Sequence, residues 1–156
     1  MHPIVYRTVG GAPSVSWVNS VFDALAHVLP KRATRSLAHS AVIFVGEKRM
    51  QTLNRDYHGV DRVTDVLAFP SGAPSFSKQE TELGDIFLCF SYIRAQAKQF
   101  GVTAEEECAR LLAHGALHLL GYNHDSKKHA PIMFRLQEKI VARWHADRKG
   151  SQSKKK

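Results

Sequence analysis

The chain has 156 residues, 44% apolar and 23% charged, with a formal net charge of +8. That length suits a single domain with a substantial core, and the composition excludes a disordered chain or a disulfide scaffold. No apolar run is long enough to cross a membrane and no charged-then-apolar leader opens the sequence, so a cytoplasmic protein with no membrane partner is expected.

Pro3 to Val9 reads as a strand, followed by a Gly10-Gly11-Ala12-Pro13 turn. Ser14 or Ser16 caps a helix that runs to about Leu29, with Trp17, Val21, Phe22, Leu25 and Val28 on its apolar face. Pro30 ends it, and His27 suits the negative end of the helix. Ala41 to Val45, rich in Val, Ile and Phe, reads as a buried strand. Glu47 to Tyr57 reads as a helix that turns Met50, Leu53 and Asn54 inward. A polar loop, His58 to Arg62, leads to a short strand, Thr64 to Pro70, which the proline stops. Ser71 to Thr81 is a Ser/Pro/Gly-rich loop, and Glu82 to Phe90 is another strand. Ser91 is expected to cap a helix that closes at Gly101. Cys89 and Cys108 match no CxxC zinc pattern and lie in apolar elements, so reduced, buried thiols are expected.

Thr103 to Leu120 reads as the central helix, with Thr103 as N-cap and Glu105, Glu106 and Glu107 favouring its positive end. Its flanks are apolar nearly all round, the mark of a buried helix. It carries His114 and His118, and four helical residues turn through about 400°, so both project from one side. Gly121 can adopt the left-handed conformation that ends a helix, letting His124 come round to face them. A lone His on an apolar helix is more often a core residue than a ligand. The third His, set just after the glycine, moves the balance to a metal, because HxxxHxxGxxH is the ligand spacing of the metzincin peptidases. Three imidazoles with a fourth position open is the ligand count of a catalytic zinc site, one zinc per chain. In the zincin peptidases a Glu general base follows the first His, and here that position is Gly115.

A last helix, about Pro131 to Ala146, is expected to pack Ile132, Leu136, Ile140 and Trp144 on one stripe. The whole reads as an α+β domain over residues 1–147, a small mixed sheet of about four strands with about five helices. Residues 148–156 read as a basic, disordered tail. Five of the 22 basic residues stand in that tail (Arg148, Lys149, Lys154, Lys155 and Lys156), leaving 17 against 14 acidic residues, or +3. The tail is either a solvated end or an RNA-tethering arm.

Four motifs stand in order along the chain: Leu53-Asn54 with Tyr57, Thr64 to Pro70, Leu83-Gly84-Asp85-Ile86, and the HGxLHLxGYxH run from His114 to His124. Together they resemble the YbeY family of bacterial, metal-dependent endoribonucleases, over most of the chain from about Val42 to about Glu138. The resemblance implies a zincin-like fold, zinc on His114, His118 and His124, and cytoplasmic work on single-stranded, small-subunit ribosomal RNA. That work would lie in 3′-end maturation and ribosome quality control, with the ribosome or ribosomal proteins as further partners and no nucleotide cofactor. Two positions depart from the family pattern. His58 stands where the family usually has Arg after the Tyr, and Asn123 where it usually has Asp before the last His.

Zinc on three neutral imidazoles lowers the pKa of its water towards neutrality and polarises a phosphoryl oxygen, so cleavage needs no carboxylate base. Whether water or the ribose 2′-hydroxyl attacks is left open. His58 and Arg62, with Arg55, are the candidate phosphate-binding cations, set against the alternative of a solvated loop face. Asp65 and Asp85 read as structural turn or cap residues. Two other functions stay open. One is a metallopeptidase, favoured by the ligand spacing and opposed by Gly115. The other is a non-catalytic assembly factor with structural zinc, for which only Asp125 and His129 offer a nearby fourth ligand.

Overall fold

A computed structural model describes residues 2–71 and 82–155. A four-stranded sheet runs in the order β1-β2-β4-β3. β1 (Ile4–Arg7), β2 (Ser40–Phe44) and β4 (Gly84–Leu88) are parallel, and β3 (Val66–Pro70) closes one edge antiparallel to β4. Six helices accompany them, α1 (Val15–Val28), α2 (Lys31–Leu37), α3 (Glu47–His58), α4 (Phe90–Phe100), α5 (Ala104–Leu119) and α6 (Ala130–Ser153). The α+β class and the mixed sheet agree with the sequence reading. The Ser71 to Thr81 loop of that reading lies, Ser71 apart, outside the described residues.

β2 and β4 are buried at every position, as strands covered on both faces are, with Ser40 and Asp85 their buried polar residues. On one face, Val42, Phe44, Ile86 and Leu88 pack with α1, α5 and α6 into the larger core. On the other, Ile43, Leu67, Phe69 and Phe87 pack under Met50 and Leu53 of α3. Met50, Leu53 and Asn54 are the buried residues of α3, as its periodicity demands. α5 touches α1, α4, α6, β3 and β4, which makes it the central helix.

The helix ends follow local chemistry. Ser14 Oγ accepts from Trp17 N–H at 3.1 Å and Thr103 Oγ1 accepts from Glu106 N–H at 3.1 Å, both as N-caps. α4 begins two residues earlier than its serine suggests: Cys89 is the N-cap, with no side-chain bond, and Ser91 lies inside the helix. The short α2 after Pro30 has too few residues to show an apolar period, and the sequence reading has no helix there.

α6 departs furthest from expectation. It runs on to Ser153, past Ala146, and its buried residues are Met133, Gln137, Ile140, Val141 and Trp144. Ile132 is exposed and Leu136 only partly buried. Steps of four residues drift about 40° around a helix, so a row drawn backwards from Trp144 leaves the core side before it reaches Ile132. Trp144 packs edge-on to Trp17 of α1, ring centroids 5.9 Å apart, and its Nε1–H donates to Ser20 Oγ at 3.0 Å. Cys89 and Cys108 are free and buried. Burial, with Glu107 and Glu105 adding to it, pushes the Cys108 thiol far above its ordinary value, so it is an inert packing residue.

Candidate metal centre

α5 ends in a Schellman turn. Gly121 N–H bonds His118 O at 3.0 Å, Tyr122 N–H bonds Leu117 O at 3.0 Å, and Gly121 has φ of 93°. A side chain at that φ would be strained, so the glycine is what lets the chain turn back sharply enough to return His124 to the helix it has left. The imidazole centroids of His114, His118 and His124 lie 4.6, 5.0 and 5.4 Å apart. One ligand nitrogen from each falls within 4.8 Å of the others. His114 Nε2 and His118 Nε2 are 3.0 Å apart.

That arrangement suits a metal ion. Bonds of 2.0–2.1 Å in tetrahedral geometry set donor nitrogens about 3.4 Å apart. The two helical nitrogens are already near that spacing, and His124, half exposed on its loop, supplies the third nitrogen. The remaining nitrogen of His114 is engaged: Oε1 of Gln137, a buried residue of α6, lies 2.8 Å from His114 Nδ1. An amide oxygen only accepts, so Nδ1 carries the proton and Nε2 keeps its lone pair towards the centre. Burial lowers the pKa of His114 more than the Gln137 bond raises it. Burial also lowers that of His118, with the neighbouring imidazoles acting the same way. Neutral imidazole is the form that binds a metal.

A family model described as Endoribonuclease YbeY matches residues 12–145. The chain belongs to the YbeY family. Endoribonuclease YbeY of Sulfurihydrogenibium sp. (strain YO3AOP1) is 42% identical over 101 residues, which cover 64% of this chain and 66%, just under two thirds, of that protein. Endoribonuclease YbeY of Pelotomaculum thermopropionicum is 34% identical over 140 residues, covering 83% of this chain and 92% of that one. The solution structure of a Thermotoga maritima protein superposes with a TM-score of 0.65 at 27% identity, covering 99% of this chain and 95% of the other.

In this YbeY-family chain Gly115 has a steric reason. A Cβ there would stand 2.9 Å from Ile86 Cγ2 and 3.5 Å from Val66 Cγ2, because α5 lies directly on β4 and β3. The position where zincin peptidases carry their base faces the sheet. Asp125 and His129, the sequence candidates for a fourth ligand, stand outside the three-imidazole group. Asp125 Oδ1 is 3.9 Å from His124 Nε2, and Ser126 Oγ occupies His129 Nδ1 at 2.7 Å.

His58 ends α3 and Arg62 follows in the loop before β3, both exposed. The His58 ring lies 6.1 Å from that of Phe69, whose side chain belongs to the α3 side of the sheet. Asn54 Nδ2–H donates to Arg62 O at 2.9 Å, which pins the loop's backbone. Asp65 proves structural: Oδ1 accepts from Val66 N–H at 2.7 Å, and Oδ2 accepts from Gln96 at 3.1 Å. Gln96 also reaches Glu107, which is buried and paired with Arg110 at 3.2 Å, while Arg110 holds Glu138 at 2.8 Å. This polar chain ties the start of β3 to α4, α5 and α6 around His114. Gln137 is the site residue that sequence reasoning misses, since a lone Gln on a long helix carries no spacing signal.

Proposed function

We propose that this chain is a zinc-dependent, single-strand-specific endoribonuclease of the cytoplasm. Its task in this reading is ribosomal RNA processing at the 3′ end of the small-subunit RNA, and ribosome quality control, with ribosomal proteins as further partners. The observation that carries the reading is the convergence of His114, His118 and His124 at the end of α5, with no fourth protein ligand in the group among the described residues. The printed names of the relatives, Endoribonuclease YbeY, supply the substrate class.

Bound there, zinc supplies a Lewis acid for a phosphoryl oxygen and lowers the pKa of a water ligand. The rest falls to the chain. Gln137 holds the His114 proton on Nδ1 and so aims Nε2 inward. His58 stands at the start and Arg62 in the middle of the loop that leads to β3, and Val66 at its far end lies against α5. In this proposal the two cations orient the RNA phosphate and offset its charge. The buried face at Gly115 speaks against a peptidase with a carboxylate base.

The test is zinc content and cleavage of a labelled single-stranded RNA, with chelated and zinc-restored samples side by side. About one zinc per chain and cleavage that returns with zinc are expected, and His118→Ala should lose both. A variant that keeps full zinc at wild-type affinity would overturn the three-histidine site.

A further inference from the structure

The charge of this chain is not spread over its surface. Residues 1–126 contain twelve Lys and Arg and twelve Asp and Glu, and are formally neutral. Residues 127–156 contain ten basic residues and two acidic ones, Glu138 and Asp147, so the whole +8 belongs to this segment. Five of the ten basic residues and both acids lie on α6, and the other five basic residues flank its two ends. Both acids are occupied: Glu138 by Arg110 at 2.8 Å and Asp147 by Arg143 at 2.9 Å. Arg135, Lys139 and Lys149 are exposed and have no ion pair among the described residues.

The packing sets which way this charge points. Met133, Gln137, Ile140, Val141 and Trp144 face the core. The acidic first turn of α5 then clasps the second half of α6, Glu106 to His145 at 3.1 Å and Glu105 to Arg148 at 2.9 Å. Arg135, Lys139 and Arg143 recur every four residues, about 6 Å apart, on the opposite side. At about 1.5 Å per residue the helix is roughly 36 Å long. The first half of the helix meets the metal centre on its inner side, through Gln137.

We propose that the outer face of α6, carried by Arg135, Lys139 and Lys149, is a track for single-stranded RNA leading away from the metal centre. The inference rests on the reading of that centre as an RNA-cleaving site. A cationic row with no free acid beside it matches the phosphates of an extended strand and reads no bases. A lipid surface does not suit it. A helix that lies on a membrane presents an apolar face to lipid, whereas the apolar face of α6 is spent on the core and its exposed large apolar residues are Ile132 and Phe134, near its start.

The test compares the full-length triple variant Arg135→Gln, Lys139→Gln, Lys149→Gln with a charge-matched control, Lys48→Gln, Arg49→Gln, Lys98→Gln, on α3 and α4. Binding of a labelled single-stranded RNA is followed by anisotropy over a salt series. Three lost phosphate contacts should make the slope of log affinity against log salt shallower by about 2, at roughly 0.7 each. The control should keep the wild-type slope. Cleavage of a short RNA that fills only the metal centre should be unchanged in the α6 variant, while KM for a long RNA rises. Equal slopes for wild type and the α6 variant, or equal losses in the two triples, would overturn the track. So would tighter binding of the wild type to anionic phosphatidylserine vesicles than to RNA. If the wild type binds RNA with the expected slope but cleaves none, the reading of the metal centre fails and the track stands.

Discussion

Gly115→Ala separates two effects that act in opposite directions. Alanine in a helix interior is favoured over glycine by about 0.8–1.0 kcal/mol, so propensity alone makes the variant more stable. The structure opposes that. The new Cβ would lie 2.9 Å from Ile86 Cγ2, a branch rooted on Cβ in the fully buried middle of β4, where relief means moving strand or helix. Ordinary carbon contacts are about 3.5–4.0 Å, so α5 and the sheet must part by several tenths of an ångström. Overpacking of that kind costs about 1–3 kcal/mol, which matches or exceeds the propensity gain. The net expectation is a loss of up to about 2 kcal/mol, read as a Tm lower by up to roughly 8 °C for a domain of this size. The measurement is a thermal melt of metal-free protein followed by circular dichroism. Gly150→Ala is the matched control, since a Cβ at that position in α6 meets nothing within 4 Å. It should leave Tm unchanged or raise it slightly, because only propensity acts there. A rise in Tm for Gly115→Ala would refute the contact with β4 and, with it, the steric account of the missing carboxylate.

Gln137→Leu should weaken zinc binding about 10–100-fold in a competition assay, because it removes the acceptor that holds the His114 proton on Nδ1. Gln137→Glu keeps an acceptor and should stay near wild type; equal losses in both would make Gln137 a packing residue only. The metal-free protein should lose stability as pH falls below about 6.5, the unperturbed imidazole value. His114 and His118 have lowered folded pKa values, so the unfolded chain binds more protons there, and the contribution is present above the unfolded value and lost towards the folded ones. Glu138 is also lowered, chiefly by Arg110, but from 4.5, so its effect belongs to more acid solution. Urea melts at pH 7.5, 6.5 and 5.5 read this directly, and a His114→Asn, His118→Asn double variant should flatten the trend; an unchanged slope refutes the assignment. His58→Ala should slow RNA cleavage while His58→Arg keeps it, and wild-type rates in both would leave His58 a helix-end residue beside Phe69.

What sequence alone determined were the features governed by near neighbours. The caps at Ser14 and Thr103, the left-handed Gly101 and Gly121, and the inward set of α3 all depend on residues within a turn or two, and all are legible as patterns. The three histidines belong here too, since helix periodicity and one glycine turn suffice to bring them together. The rest was decided by distance. That Gly115 faces Ile86 depends on how closely α5 lies on the sheet, and that Gln137 meets His114, 23 residues before it, depends on the docking of α6. The rotation of α6 was misread for the same cause. Its core side is set by Trp17 and Ser20 of α1 and by the acidic turn of α5, and a local row of apolar residues cannot report contacts made across the fold.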